Sequence, residues 1–220
     1  MRSSFTEEPI CDEALARILT AAHHAPSVGF MQPWDFIVIR SDEIKTRIHE
    51  AFKQANENAT EQFEGKRKEL YSRLKLEAIR EAPINLCITC DRKRTGPVVL
   101  GNTSMPVMDI YSAVCAVQNL WLAARTEGLA VGWVSIFEEE DLRSILEIPE
   151  EIVPIAYLCI GHVESFPDEP ELQTAGWQDR LKLSDLIRSE TWNGSAKENE
   201  TALLNAVSQA TSWSKDLTTD

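Results

Sequence analysis

The strongest constraint on the fold is one long segment, residues 110–127, that is apolar on almost every side. Val114, Val117 and Leu120 recur at helical spacing, alanines fill many of the positions between them, and Gly128 follows as a helix terminator. A helix without a polar face must be covered on all sides. We therefore predict that this helix lies at the centre of the fold or in a dimer interface.

The rest of the chain supplies elements that would surround this helix. Apolar runs typical of buried strands occur at 36–39, 84–90, 131–136 and 153–160. Helical spacing predicts a helix at 13–24 with Asp12 as its N-cap, a short helix at 138–146, and two helices within 43–81 joined near Gly65. Asp109 is the predicted cap of the apolar helix.

Length and composition indicate the domain organisation. The 220 residues fit one large domain, or one domain with an appended segment, since a domain averages roughly 150 residues. The composition turns polar from about residue 189. We predict a domain over residues 1–188 and a partly ordered tail over 189–220, in which Trp192 and Trp213 are candidate docking anchors.

The chain is acidic, with 35 carboxylate and 22 basic side chains and a formal net charge of −13. This charge disfavours nucleic acid and anionic membranes as partners, so an anionic ligand would need a local binding site. No apolar run approaches the roughly 18 residues of a membrane span, and the N-terminus lacks the pattern of a secretory signal. Five scattered cysteines suit reduced thiols, and we expect a cytoplasmic protein.

The cysteines and histidines of the chain are better explained as structural residues than as catalytic or metal-binding ones. Cys87 and Cys90 have the spacing of a redox or metal pair, but they fall inside a predicted strand and no second pair exists, so two buried core thiols are favoured. His23 and His24 have no partner at ligand spacing, so no metal site is predicted. A nucleophile motif of the GxSxG type is also missing.

Four other segments are candidates for binding. Residues 91–108 carry glycine, proline and charges without periodicity, and long loops in compact domains are usually functional; we call this segment the lid loop. Three short segments combine turn residues with aromatic rings: 25–34 (APSVGFMQPW), 128–136 (GLAVGWVSI) and 176–180 (GWQDR).

In combination, these segments resemble the flavin-dependent nitroreductase family. The strings AAHHAPSVGFMQPWDFIVI, DRKRTGPVVLGNTSMPVMDIYSAVCAVQNLWLAARTEGLAVGWVSIF and ELQTAGWQDRL carry the likeness, which covers about residues 5–188 in order. The pattern APSxGxMQPW together with GWVSI is specific to one branch of that family, the 5,6-dimethylbenzimidazole synthases.

The resemblance implies an α+β, nitroreductase-like fold, with a central mixed β-sheet surrounded by helices, in an intertwined homodimer. FMN would lie in a pocket at the subunit interface, within an FMN-binding domain over residues 1–188. Reduced FMN would be the substrate and dioxygen the co-substrate, with 5,6-dimethylbenzimidazole, the lower ligand of vitamin B12, and erythrose 4-phosphate as products. A separate flavin reductase is a further candidate partner.

The resemblance also implies residues that bind FMN. Ser27 and Gln32 would hydrogen-bond to flavin oxygens and to the polar edge of the ring. Met31 and Trp133 would supply apolar walls, and Leu100 would contact the flavin from the lid loop.

Two more residues, Ser135 and Arg180, complete the predicted site, and Trp34 is considered as a further apolar wall. Ser135 is the candidate catalytic residue, because its hydroxyl would lie near the ring or its oxygen adduct; a strand serine bonded to a backbone carbonyl is the alternative. Arg180 matches an arginine that contacts the FMN phosphate, although a lone arginine is more often solvated. For Trp34, ordinary core packing is the favoured interpretation.

The chain departs from the branch at its N-terminus. The branch carries Arg-Arg-Asp-x-Arg-x-Phe before the first helix, with arginines for the phosphate and an Asp that is needed to break the flavin. When Phe5 is matched to the final Phe, Ser3 stands at the last Arg and Met1 at the Asp. We expect either that the native chain starts upstream or that flavin cleavage is lost, and Arg2 would replace a phosphate contact only in part.

Two other functions stay open at this point. One is an FMN-dependent NAD(P)H nitroreductase-type oxidoreductase, in which FMN is a recycled cofactor. The other is a flavin-binding protein without catalysis. Only the synthase would produce 5,6-dimethylbenzimidazole from reduced FMN and oxygen.

Overall fold

The structure is a computed structural model that describes residues 5–216, with side chains described through residue 210. The expectations for Met1, Arg2 and Ser3, and for the side chain of Trp213, lie outside the described residues.

The chain divides into two compact units, the first ending at Phe166 and the second beginning at Pro167. The division predicted between the FMN-binding domain (1–188) and the tail (189–220) concerns function, and it stays a prediction.

Four strands form the sheet of the first unit. They are β1 (Trp34–Ile39), β2 (Ile84–Asp91), β3 (Ala130–Val134) and β4 (Ile152–Gly161), in the order β1-β2-β4-β3. All four predicted strands are therefore confirmed within a few residues. Apolar side chains on both parities of β2 reflect burial on both faces.

The strand directions correct one detail of the predicted fold. Every strand pairing among the described residues is antiparallel, whereas a mixed sheet was expected. The reason is the position of β4: β2 and β3 run parallel to each other, but β4 lies between them and runs against both. The α+β class itself is confirmed.

Five helices complete the first unit: α1 (Asp12–His23), α2 (Asp42–Thr60), α3 (Gly65–Tyr71), α4 (Met108–Thr126) and α5 (Glu139–Leu146). Two predicted caps are wrong. Cys11 precedes α1, and Asp12 lies inside the first turn, where its carboxylate still favours the helix dipole. Val107 precedes α4, so Asp109 lies in the first turn of that helix.

The helices cover both faces of the sheet. Alternate residues of β2, namely Ile84, Leu86 and Ile88, share one core with α1 and α4. On the other face, Phe137 contacts both Phe52 of α2 and Tyr157 of β4, with ring centroids 6.2 and 5.4 Å apart. The sheet is thus the middle layer of three.

Helix α4 is central, as its composition predicts. One side packs on α1 and the sheet through Ala116, Val117 and Leu120, each at most 1% exposed. Burying a side chain such as Leu120 contributes roughly 1.5–3 kcal/mol. The opposite side of α4 is also largely apolar, yet it is exposed.

The connection between β1 and β2 starts and ends at neighbouring points of the sheet. Ile39, the last residue of β1, lies opposite Asn85 near the start of β2. Lys45 of α2 donates hydrogen bonds from Nζ to the carbonyl oxygens of Ala82 (2.8 Å) and Pro83 (3.0 Å). Burial lowers the pKa of this ammonium group, and the two carbonyls replace the water that it loses.

The second unit is built from short elements. It contains α6 (Glu171–Thr174), a 3-10 turn at Leu183–Asp185, α7 (Ala196–Asn199) and α8 (Thr201–Asp216). Trp192 is 82% exposed, and its role as a docking anchor stays a prediction. Across the described residues of both units, no helix has the length and apolar character needed to cross a membrane.

Candidate functional site

The 25–34 segment forms a tight loop between α1 and β1. It contains a 3-10 turn at Val28–Phe30, and the backbone N–H of Gln32 donates to Ser27 Oγ at 3.1 Å. The N–H of Val28 donates to Oγ of Ser112 on α4 at 3.0 Å. The segment is therefore fixed both internally and to the central helix.

Gln32 has an unusual backbone conformation. Its φ is 48°, and Phe30 has a φ of 54°, in the left-handed region that costs a non-glycine residue roughly 1–2 kcal/mol. The Gln32 side chain turns back and donates from Nε2 to the carbonyl oxygen of Phe30 at 3.1 Å. Among the described residues, the Ser27 hydroxyl proton and Gln32 Oε1 have no hydrogen-bond partner, so both are available to a ligand.

Two apolar residues of the same segment are inside the protein. Met31 is 2% exposed, so a ligand outside this chain would meet its backbone rather than its side chain. Trp34 is 3% exposed and donates from Nε1 to Nδ1 of His23 at 3.2 Å. The interpretation of Trp34 as a packing residue is confirmed.

The lid loop lies directly on the 25–34 segment. At Gly29 a Cβ would be 2.6 Å from Cγ1 of Val99 and 3.0 Å from the carbonyl oxygen of Leu100, a space that only glycine fits. Leu100 itself is 85% exposed at the tip of the contact. The lid loop and the 25–34 segment carry further exposed apolar side chains: Phe30, Val98, Met105 and Val107.

An ion pair between a partly exposed arginine and a buried carboxylate closes the base of the lid loop. Arg92 donates from Nε to Asp109 Oδ2 at 2.8 Å and from Nη2 to the carbonyl oxygen of Pro106 at 2.5 Å. Asp109 is 1% exposed, and its hydrogen bond raises the pKa of Arg92. Removing Arg92 would leave a buried charge without its partner, which is strongly destabilising.

Trp133 and Ser135 lie at the end of β3. Ser135 is the first residue after the strand and is exposed, while Trp133 is half-buried against the core. Both residues line a cavity of about 160 Å³ that also includes Phe137 and Tyr157. Burial strongly raises the pKa of the Tyr157 phenol, so this wall of the cavity is uncharged.

Arg180 belongs to the second unit, between α6 and the 3-10 turn, and is exposed. Its contact with a phosphate stays a prediction.

The structure thus brings the predicted residues of the first unit together in two groups. Ser27, Gln32 and Leu100 meet where the lid loop covers the 25–34 segment. Trp133 and Ser135 share the small cavity at the end of β3, which the other three do not line.

A larger cavity, of about 610 Å³, contains none of the predicted residues. Polar residues of α2 at positions i, i+3, i+4 and i+7 form one wall, and this spacing was the signal in the sequence that could have indicated it. Its lining residues are Phe5, Glu7, Asp42, Lys45, Thr46, His49, Arg80 and Glu81. Carboxylates and cations are mixed in this set, so the cavity has no clear preference for one charge.

The cysteine pair has the structural role that was favoured. Cys87 and Cys90 lie on β2, fully buried, and burial raises the pKa of each thiol to about 12. Residues three apart on a strand point to opposite faces, so the two thiols cannot act together. Within the described part of the chain, no group of three metal-ligating side chains could hold an ion.

Comparison with known proteins identifies the class. The profile of the Nitroreductase family matches residues 1–162, and the chain belongs to that family. A protein of Rhodospirillum rubrum named 5,6-dimethylbenzimidazole synthase is 41% identical over 176 residues, covering 80% of this chain and 83% of its own. A protein of the same name from Rhodobacter capsulatus is 35% identical over 177 residues, covering 80% and 86%. The resemblance to this branch is confirmed.

A solved structure supports the fold. Iodotyrosine deiodinase, crystallised with FMN and 3-iodo-L-tyrosine, superposes with a TM-score of 0.66 at 21% identity, covering 87% of this chain and 95% of its own. The nitroreductase-like fold is therefore confirmed, and the family and its relatives support an oxidoreductase.

Proposed function

We propose that this protein is a 5,6-dimethylbenzimidazole synthase that fragments reduced FMN with dioxygen. The observation that carries the proposal is the 41% identity, over four fifths of the chain, to a protein of that name. The products would be 5,6-dimethylbenzimidazole and erythrose 4-phosphate.

The residues present fit a flavin. A tricyclic ring needs apolar surface and a few polar groups at one edge. The exposed side chains of Phe30, Val98, Leu100 and Met105 offer the apolar surface, and they belong to the lid loop and to the 25–34 segment that carries the Ser27 hydroxyl. When bound in its reduced form, FMN supplies the electrons that dioxygen accepts.

The chain's own groups would bind and orient that substrate. Ser27 would donate its hydroxyl proton to a flavin oxygen, and Gln32 would accept at Oε1 from a ring N–H. Ser135, exposed at the end of β3, would present its hydroxyl to the reacting part of the ring. The lid loop would exclude bulk water and leave no space for a second large cofactor such as a nicotinamide.

A homodimer belongs to the same proposal. Exposed residues of α4 follow helical spacing along one side: Tyr111, Val114, Cys115, Gln118 and Leu122. We call this side the α4 stripe. A largely apolar stripe of this kind marks an interaction surface, and a second copy of the chain would cover it. The two groups of site residues would then complete one pocket across the interface.

The decisive experiment is a product assay. FMN is reduced without oxygen, mixed with the protein, and exposed to air, and the products are separated by mass spectrometry. We expect 5,6-dimethylbenzimidazole in proportion to the FMN consumed, provided that the protein tested carries the Asp that the branch places before its first helix. Recovery of intact FMN, together with sustained NAD(P)H oxidation, would instead indicate a nitroreductase-type oxidoreductase, and binding without turnover a passive flavin-binding protein.

A pair of variants links the reaction to the site. Ser135→Ala should lower the yield of product at least tenfold while FMN still binds. Ser144→Ala, which changes an exposed serine of α5, is the matched control and should keep the wild-type yield. Equal yields from both variants would remove Ser135 from the reaction.

A further inference from the structure

One side chain of the lid loop, Arg94, contacts the end of the 25–34 segment and the start of β1. Its Nη1 donates to the carbonyl oxygens of Gln32 (3.0 Å) and Trp34 (2.8 Å), and its Nη2 donates to the carboxylate of Asp35. The planar guanidinium thus joins two backbone carbonyls and the Asp35 carboxylate with a single rigid fork, and its Nε lies 3.7 Å from Oδ2 of Asp91 within the lid loop.

The backbone that Arg94 holds is strained. Gln32 has a φ of 48°, a conformation that persists only where the surroundings enforce it. A charge-assisted bond to the Gln32 carbonyl stabilises this peptide plane in one orientation. Gln32 also donates its backbone N–H to Ser27 Oγ, so a change in the backbone conformation of Gln32 also moves the hydrogen-bond donor of Ser27.

The rest of the lid loop is fixed independently of Arg94. Arg92 and Asp109 close its base, and Gly29 receives its tip at Val99. Arg94 therefore does not create the loop. It is the charged contact that determines how the loop is placed on Gln32.

We propose that Arg94 is a positioning residue, which locks the lid loop onto the 25–34 segment and holds Gln32 and Ser27 in the orientation that receives the flavin. It acts through Gln32 and does not touch the ligand. The role of the flavin rests on the proposed function, whereas the locking of the loop does not.

The first test measures the loop without any ligand. Arg94→Gln removes the charge and the fork, so trypsin should cleave after Arg92, a bond that the control variant also keeps, at least fivefold faster than in the wild type. Arg94→Lys, which keeps one charged donor, should be intermediate. The matched control is Lys93→Gln, which removes the neighbouring exposed cation and should leave cleavage after Arg92 at the wild-type rate.

The second test measures the coupling to Gln32. Arg94→Gln should raise the dissociation constant for FMN about tenfold, with Arg94→Lys partly restoring it. In a Gln32→Ala background the same change should have a smaller effect, because the flavin contact of the Gln32 side chain, which Arg94 orients through the Gln32 backbone carbonyl, is already lost. A simple loss of stability would add equally in both backgrounds.

The outcomes separate the two proposals. Unchanged proteolysis and unchanged FMN binding in Arg94→Gln would overturn the positioning role, as would fully additive effects in the double variant. If the wild-type protein neither binds FMN nor forms product, the proposed function fails, and the proteolysis result still decides whether Arg94 locks the loop.

Discussion

At Gly29 a single hydrogen atom in place of a side chain allows two loops to touch. The residue has a φ of +54°, and Val99 and Leu100 occupy the volume of a Cβ. Gly65 has the same φ, but no neighbouring group lies within 4 Å of the place that its Cβ would take. An alanine at Gly65 would therefore suffer backbone strain alone, whereas an alanine at Gly29 would suffer the same strain and a steric clash.

We predict that Gly29→Ala destabilises the fold by about 1–3 kcal/mol more than Gly65→Ala and also weakens FMN binding. Both variants carry the left-handed strain, and only the first must also displace the lid loop. Urea unfolding and FMN titration of the two proteins test this. Equal losses of stability in the two variants would mean that the lid loop moves away from residue 29 without a loss of folding free energy.

The buried thiol of Cys87 predicts a loss of stability in alkali. Burial raises its pKa from the ordinary value near 9 to about 12, so the folded state keeps a proton that the unfolded state loses. Below pH 9 this group has no effect. Between the two values, the free energy of unfolding should fall by about 1.4 kcal/mol per pH unit for this thiol.

Urea unfolding at several pH values from 8 to roughly 10 measures this slope. Cys87→Ala should remove about 1.4 kcal/mol per pH unit from this slope, and Cys11→Ala, which removes an exposed thiol, is the comparison variant. An unchanged slope in Cys87→Ala would show that the thiol ionises equally in both states.

At the scale of one element, α4 has two apolar sides, and only one of them has a partner within the described part of the chain. We predict that Leu122→Glu, in the α4 stripe, prevents dimerisation, since a carboxylate buried in an interface costs several kcal/mol. Analytical ultracentrifugation should show a monomer that retains little FMN.

Leu203→Glu is the control for this change. It places the same charge at a similarly exposed leucine on α8. A dimer that survives Leu122→Glu would place the interface elsewhere.

Helices and strands were predictable from the sequence wherever apolar residues recur in a regular pattern. Continuous apolar character determines β2, and the absence of a polar face determines the central position of α4. The left-handed conformations of Phe30 and Gln32 have no such signal, because contacts from distant residues impose them. The same holds for Arg94, whose partners lie about sixty positions earlier in the chain.

The candidate site was predictable only in part. The motif strings locate the right segments, but no local pattern shows that Met31 turns inward while Leu100 stays exposed. Directions of this kind depend on packing between segments that are far apart in sequence. The polar spacing on α2 did not lead to a prediction of the cavity beside it, because mixed charges on a helix usually indicate a solvated face.

For the whole molecule, a net charge of −13 means that a phosphate needs a specific cation. We predict that Arg180→Gln weakens FMN binding about 10- to 100-fold, as expected for the loss of a charge-assisted bond worth roughly 1.5–3 kcal/mol. Riboflavin, which lacks the phosphate, should bind to both proteins equally.

Lys182→Gln provides the comparison, since it removes an exposed cation two positions away. Titrations that follow the quenching of flavin fluorescence give all the affinities. Equal losses for FMN and riboflavin would show that Arg180 supports the second unit rather than the phosphate.

The adjacent ends of the connection between β1 and β2 have an evolutionary consequence. Because Ile39 faces Asn85 and Lys45 fastens the return point, the intervening stretch leaves the sheet and rejoins it at almost one place. In the exposed joint between α2 and α3, residues can be gained or lost at an entropic cost that grows only with the logarithm of the length. Lineages of this chain can therefore vary the length of this joint while the packing of α2 and the register of the sheet are inherited unchanged.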